Sequence, residues 1–156
     1  MNTHLPLNLQ FNAIAHQAAP LWLLLEADPS ESMIMGYLTD SIIVEAKDDE
    51  RLVGIYVLKE KADHIFELMN IAVIPELQGK GYGKLILSHA LESAKNLGGK
   101  MIRLGTGTFG YQVSFYQKAG FQVDAVEKNY FIDFYDQPVI EDGLQHRDRL
   151  ILSREL

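Results

Sequence analysis

The chain contains no cysteine. That excludes a disulfide framework, a thiolate metal site and a cysteine nucleophile, so covalent acyl-enzyme chemistry would need serine, lysine or another group. Positive charge is also scarce: 14 Lys and Arg stand against 21 Asp and Glu, a net charge of −7. A duplex-binding protein gains affinity by neutralising phosphates, so this balance, with its cations scattered, argues against nucleic acid as a partner. A long apolar run is missing as well. The densest, Leu21-Trp22-Leu23-Leu24-Leu25, falls far short of the ~20 residues that span a bilayer. Residues 1–10 hold no Lys or Arg and no long apolar core. Neither a signal peptide nor a membrane partner is expected, and the cytoplasm is the expected location.

What remains is ordinary for a globular chain: 156 residues, 47% hydrophobic and 22% charged. No composition shift, low-complexity tract or repeat divides it, so residues 1–156 read as a single domain. Residues 5–13 alternate weakly and predict a first strand. Residues 18–27 and 30–38 predict two short helices parted by Asp28-Pro29, with Ser30 as the second helix's cap. Strands follow at 41–47 and 52–59, divided by the polar turn Asp48-Asp49-Glu50-Arg51, and at 65–74, stopped by Pro75. A helix over 83–97 places Leu87, Ala90, Leu91, Ala94 and Leu97 on one face and ends at Gly98-Gly99. A short strand at 100–104, a helix at 111–118 and strands at 121–126, 130–135 and 149–153 complete the pattern. Three strands followed by strand–helix–strand–helix–strand imply an α/β fold with a mixed sheet.

The segment from Asn70 to Lys84 carries the most chemistry. A strand ends at Ile71-Ala72-Val73, a glycine-rich turn follows, and a long helix begins. Gly79, Gly81 and Gly83 expose successive backbone N–H groups at the positive end of a helix dipole, which suits a phosphate or pyrophosphate. Glycine lets the backbone approach phosphate oxygens and adopt positive φ. The P-loop pattern fails, because Gly83-Lys84 is followed by Leu85 rather than a Mg²⁺-binding hydroxyl. A dinucleotide fingerprint fails here too, since Lys84 stands where a glycine is needed.

Gln78-Gly79-Lys80-Gly81-Tyr82-Gly83 resembles the Q/R-x-x-G-x-G/A motif of the GNAT N-acetyltransferase superfamily. The resemblance extends to Ile71-Ala72-Val73 before the loop and to Phe115-Tyr116-Gln117-Lys118-Ala119-Gly120-Phe121 after it. It implies a mostly antiparallel central sheet flanked by helices, the GNAT-like acyl-CoA N-acyltransferase fold. It also implies acetyl-CoA as co-substrate, bound by Ile71, Ala72, Val73 and the loop Gln78, Gly79, Lys80, Gly81, Tyr82, Gly83 and Lys84. The implied acceptor is a primary amine of a small molecule or peptide, attacked directly in a ternary complex, and a homodimer is a family-level expectation. In the turn after the fifth strand, Thr108-Phe109-Gly110 lacks the asparagine that many members carry.

Direct transfer needs a neutral amine, a stabilised oxyanion and a proton for the thiolate. An alkyl amine with a pKa near 10 costs about 4 kcal/mol to deprotonate at pH 7, and a general base offsets part of that. By resemblance, Glu67 is the expected base, acting through water, and Tyr116 the expected general acid near the sulfur. The oxyanion contact is expected from a backbone N–H, that of Val73. Lys80 and Lys84 form a basic loop within an acidic chain whose charge suits steering of a cationic acceptor.

Two other readings compete. One is an acyl-CoA-binding sensor without a productive acceptor site. The other is a nicotinamide-binding enzyme, because Gly105-Thr106-Gly107-Thr108-Phe109-Gly110 is a literal G-x-G-x-x-G, with Asp124 and Glu127 near a ribose-binding offset. Too little chain follows it for the remaining parallel strands. His64, His89 and His146 show no metal-ligand spacing, so no metal is expected. If 130–135 is a strand, Tyr130, Ile132 and Phe134 share a core face, and Phe131, Asp133 and Tyr135 share the other, where Asp133 and Tyr135 are acceptor-site candidates. Glu141 and Asp142 read as ordinary loop residues.

Overall fold

A computed structural model describes residues 9–156; residues 5–8 of the expected first strand lie outside the described residues. Strand β1 (Leu9–Ile14) is followed by a 3₁₀ turn at His16–Ala18 and helices α1 (Leu21–Ala27) and α2 (Glu31–Leu38). Three strands come next: β2 (Ile42–Asp48), β3 (Arg51–Ala62) and β4 (Ile65–Val73). Helix α3 (Tyr82–Asn96), β5 (Met101–Gly107), α4 (Gln112–Lys118) and β6 (Gln122–Glu127) follow. The chain ends with α5 (Tyr130–Asp133), β7 (Ile140–Glu141), β8 (Leu144–Gln145) and β9 (Arg149–Glu155).

Seven strands form one sheet in the order β1-β2-β3-β4-β5-β9-β6, and β7 and β8 pair as a separate hairpin. Every described pairing is antiparallel except β4 with β5, whose parallel crossover runs through α3. The mixed, mostly antiparallel sheet flanked by helices is therefore present as expected.

Strand β3 shows why the sheet is central. Val53 to Leu58 is buried throughout, as a strand covered on both faces must be. Tyr56 and Leu58 pack under α3 with Ile86, Leu87 and Ala90. Ile55 and Val57 pack on the other face with Leu23, Leu24 and Ile34 from α1 and α2. Ser30 caps α2 by accepting from the Met33 N–H at 3.2 Å. The buried stripe of α3 includes Ile86 but not Leu97, which is 56% exposed. Leu97 is the C-cap residue, beyond the last helical turn, and there Gly98 (φ 87°) bends the chain so that the Gly99 N–H donates to Ala94 O.

Two departures from the sequence reading matter for function. The segment 130–135 is not a strand. Asn129 adopts φ 57°, and its N–H donates to Asp148 Oδ1 at 2.9 Å while the Phe131 N–H donates to Arg147 O at 2.9 Å. These contacts curl the chain into the one-turn α5. Ile132 and Phe134, expected in the core, are consequently 38% and 61% exposed. The second departure is the hairpin at 140–145, where a loop was expected. Asp142 and Gly143 both have positive φ, 53° and 77°, the requirement of a tight two-residue turn.

Candidate active site

The site originates in a defect of strand pairing. Val57 of β3 pairs with Asn70 of β4, but the next pair is Leu58 with Leu68, so Met69 is an extra residue. This bulge flips the side-chain alternation. Phe66 and Leu68 thus share the α3 face with Ile71 and Val73, while Asn70 is carried to the face of α1 and α2. Just before the bulge, β4 also loses its other neighbour. Its parallel pairing with β5 covers three pairs, ending at Glu67–Arg103. Beyond that point the strands part, and a cavity of about 1510 Å³ runs between them, lined by β4 from Glu67 to Val73 and by Leu104 to Gly107 of β5.

The wedge exposes strand backbone. The Ile74 N–H donates to Val53 O of β3 at 2.9 Å, so the alternating groups of Val73 face away from β3, into the wedge. The Val73 carbonyl accepts from Gln78 Nε2 at 3.1 Å, which ties the loop back to the strand end. Gly79 and Gly81 hold φ values of 75° and 91°, a region that favours glycine, and Gly81 is the N-cap of α3. A Cβ on Gly79 would meet no protein atom within 4 Å. The first turn of α3 carries no acidic residue and no side-chain cap, so its N–H groups remain available to an anion. The open space, donors and Lys84 suit a pyrophosphate. Ile71, Ala72, Val73, Gln78, Gly79, Gly81, Gly83 and Lys84 all line the cavity. Two expected residues do not bring their side chains there: Tyr82 is buried in the core, and Lys80 lies exposed outside the lining.

Tyr116 and Glu67 both line the same cavity. The Tyr116 ring packs edge-on between Phe115 and Phe121, at centroid distances of 5.2 and 5.7 Å. Burial pushes its phenol well above the ordinary value, which keeps it protonated. One Glu67 oxygen, Oε1, is engaged by Arg103 Nε at 3.5 Å.

The side of the cavity toward α1 and α2 is built from residues that carried no local motif. Asp28, only 9% exposed, accepts from Tyr37 Oη at 3.1 Å, Tyr135 Oη at 2.9 Å and the Ser30 N–H at 3.2 Å. Burial, then the Asp28 charge, raise the Tyr135 phenol, and burial raises that of Tyr37 although Asn70 opposes it. Asn70 Nδ2 donates to Leu24 O and to Tyr37 Oη, both at 3.0 Å, which fixes the amide and leaves Oδ1 buried without a partner. Gln112 Oε1 and His146 Nδ1 are likewise buried and unpartnered, and all three residues line the cavity. Of the two acceptor candidates, Tyr135 lines it and Asp133 does not. Phe131 shares the lining with Tyr130, Tyr135, Glu141 and Arg149. Sequence spacing offered little signal for this side, because Asp28 and Tyr135 are 107 positions apart.

The glycines of the Gly105–Gly110 motif have a different purpose from the one a dinucleotide would need. Gly105 and Gly107 lie within β5. A Cβ on Gly105 would meet the Arg149 side chain at 2.6 Å, and one on Gly107 would overlap the His146 ring. They admit two side chains against the strand. The antiparallel pairing of β5 with β9 also replaces the parallel neighbour a dinucleotide fold would require. His146 Nε2 lies 2.9 Å from Glu141 Oε1, so Glu141 belongs to the cavity wall and is no ordinary loop residue. His64 Nδ1 lies 2.9 Å from Gly98 O, and His89 Nδ1 2.9 Å from Tyr56 Oη. Among the described residues no group of three His, Cys, Asp or Glu could hold a metal, and no helix is long and apolar enough to cross a membrane.

Comparison with known proteins returns the same architecture. The family model described as Acetyltransferase (GNAT) family matches residues 9–121. A Bacillus subtilis protein named Uncharacterized N-acetyltransferase YvbK is 40% identical over 135 residues, 86% of this chain and 87% of its own length. An IAA acetyltransferase from Bacillus cereus superposes with a TM-score of 0.91 at 40% identity, covering 96% of this chain and 100% of that one. A GNAT family acetyltransferase from Elizabethkingia anophelis, solved with acetyl-CoA bound, gives a TM-score of 0.91 at 36% identity, covering 96% of this chain and 99% of its own.

Proposed function

The chain belongs to the GNAT acetyltransferase family, and from that premise we propose how it acetylates a primary amine at the β4–β5 wedge. The protein is an acetyl-CoA-dependent N-acetyltransferase. Bound acetyl-CoA supplies the activated acyl group and a thiolate leaving group. The observation that carries the reading is one continuous cavity lined both by the glycine loop with Lys84 and by the carboxylates of Asp28, Glu67 and Glu141. The same cavity thus offers donors to an anionic cofactor and carboxylates to a cationic amine.

The residues divide the work as follows. Gly79, Gly81, Gly83 and the α3 N-terminus hold the pyrophosphate, and Lys84 adds charge. The Val73 N–H donates to the acetyl carbonyl oxygen as negative charge develops there. Glu67 takes the amine proton through a water molecule. Tyr116 donates its O–H toward the departing sulfur. Because burial raises that phenol, a hydrogen bond to the developing thiolate contributes more than complete proton transfer does. The acceptor is a small-molecule or peptide amine, and the chain works as one cytoplasmic domain. β6 is an edge strand with all six residues exposed, which suits pairing as a homodimer.

Initial velocities of thiol release, with acetyl-CoA and a panel of primary amines varied together, test the mechanism. Intersecting double-reciprocal lines are expected for direct transfer. Parallel lines would replace it with a covalent acetyl-enzyme. Acetyl-CoA binding without thiol release from any amine would leave only the sensor reading.

A further inference from the structure

Arg149 opens β9 and lines the cavity wall. Its guanidinium is held on three sides. One face lies 3.9 Å from the centroid of the Tyr130 ring. Another side rests on the backbone of Gly105, where a Cβ would come within 2.6 Å of Nη1 and 2.7 Å of Cζ. Its Nε donates to Glu127 Oε1 at 2.6 Å. Stacking, a glycine floor and one carboxylate fix the fork while engaging only its Nε edge. Arg149 is also mostly buried, with 19% of its side chain exposed, so its orientation is set before any ligand arrives.

A guanidinium fixed in this way binds a planar anion through its two terminal nitrogens. The surroundings select which anion. Glu127 lies 2.6 Å from the Arg149 Nε, and the carboxylates of Asp28 and Glu67 line the same cavity as Arg149. Three carboxylates disfavour a dianionic phosphate beside them but tolerate a single carboxylate whose molecule also brings an ammonium group. One face of Tyr130 is already covered by Arg149, so that face does not serve as a cation-binding surface for the acceptor.

We infer that the acceptor is an amino acid or short peptide acid, an amine that also carries a carboxylate, and that Arg149 is the specificity residue binding that carboxylate. The inference rests on the acetyl-transfer reading above and adds its substrate class. Polyamines and other purely cationic amines then lack a partner for Arg149, and the carboxylate end of the acceptor sits against β5 and β9.

Thiol release is measured with matched sets of acceptors: amino acids, their carboxamides, their decarboxylated amines and the corresponding aminophosphonates. The wild-type protein is expected to favour the acid over the amide in kcat/KM by about 10- to 100-fold, chiefly through KM, the scale of a charge-assisted pair. R149Q should abolish that preference, and R149K should keep part of it because a point charge replaces the fork. Acetyl-CoA affinity by calorimetry checks that the phosphate loop of R149Q is intact. The wild-type comparison needs no variant, so a misfolded R149Q leaves it decisive. Equal use of acids and amides, preference for the phosphonate, or an equal loss on acid and amide in R149Q would each overturn the inference while leaving acetyl transfer intact. No thiol release from any amine would instead sink the acetyl-transfer reading itself.

Discussion

The two parts of the cavity lining are built by opposite means. The loop part is backbone: glycines in left-handed conformations, a helix terminus without a side-chain cap, and Gln78 tied to a strand carbonyl a few residues away. The other part is side chain: Asp28 from the α1–α2 junction, Tyr37 from α2, Asn70 from β4, Tyr130 and Tyr135 around α5, and Arg149 from β9. A backbone site binds what is common to many ligands, so it can be local and repeated between proteins. A side-chain site assembled across the fold can change one residue at a time, and that is where acceptor choice resides. Comparing the parts separates what makes the protein an acetyltransferase from what makes it selective.

The largest expected effect falls at Tyr116, which lines the cavity shared by both parts. Replacing Tyr116 by Phe should lower kcat by about 100-fold, the upper scale of a hydrogen bond to a charged group, with acetyl-CoA affinity by calorimetry almost unchanged. An unaltered kcat would remove Tyr116 from the chemistry. Asp28→Ala comes next and acts on the side-chain part alone. It strands the Tyr37 and Tyr135 hydroxyls, so stability in denaturant melts should fall by about 2–4 kcal/mol while the folded fraction still binds acetyl-CoA. If the variant is as stable as the parent, the tyrosines do not depend on Asp28. Gly79→Val attacks the backbone part. A left-handed conformation disfavours a Cβ by about 1–2 kcal/mol, and the branch fills space that no protein atom occupies. Acetyl-CoA binding should weaken about 10-fold or more, with the ranking of acceptors preserved; a reordered ranking would show that the parts are not separable.

The smallest effect is a control belonging to neither part. His89 packs flat on Phe11 at 3.9 Å, and burial lowers its pKa from the ordinary 6.5. The unfolded chain therefore binds this proton more readily than the native one. Stability should fall as pH drops through the unfolded value near 6.5 and level off below the native pKa. His89→Gln should flatten that part of the profile in thermal melts at a series of pH values and leave acceptor selectivity alone. An unchanged slope would assign the dependence to another group.

The same contrast explains what was legible in the sequence. The strands of the main sheet and the phosphate loop rest on local pattern, β-branched runs and glycine spacing, and their existence could be read directly. The Met69 bulge could not, because one extra residue in an apolar strand leaves no mark on composition. Tyr130 to Tyr135 misled because aromatic and branched residues favour strands, whereas tertiary contacts from Arg147 and Asp148 curl that segment into α5. The hairpin at 140–145 did carry a signal, Asp142-Gly143, whose weight grows only once short strands flank it. Gly105 and Gly107 imitated a nucleotide motif, although each is a seat for a side chain from a later part of the chain. Asp28 beside Pro29 looks like a turn until Tyr135 arrives from 107 residues away.

The three-pair junction between β4 and β5 has a mechanical consequence. The four strands β1 to β4 and the three strands β5, β9 and β6 are two half-sheets stitched together at one seam. Each half keeps its own ladder, so the seam has the weakest backbone bonding between them, and local unfolding follows such lines. A ligand that fills the open part of the wedge adds stitches where the polypeptide has none. Cofactor occupancy should then turn two loosely joined folding units into one cooperative body, read out as slower amide exchange along Ile71 and Val73 and as a sharper melting transition.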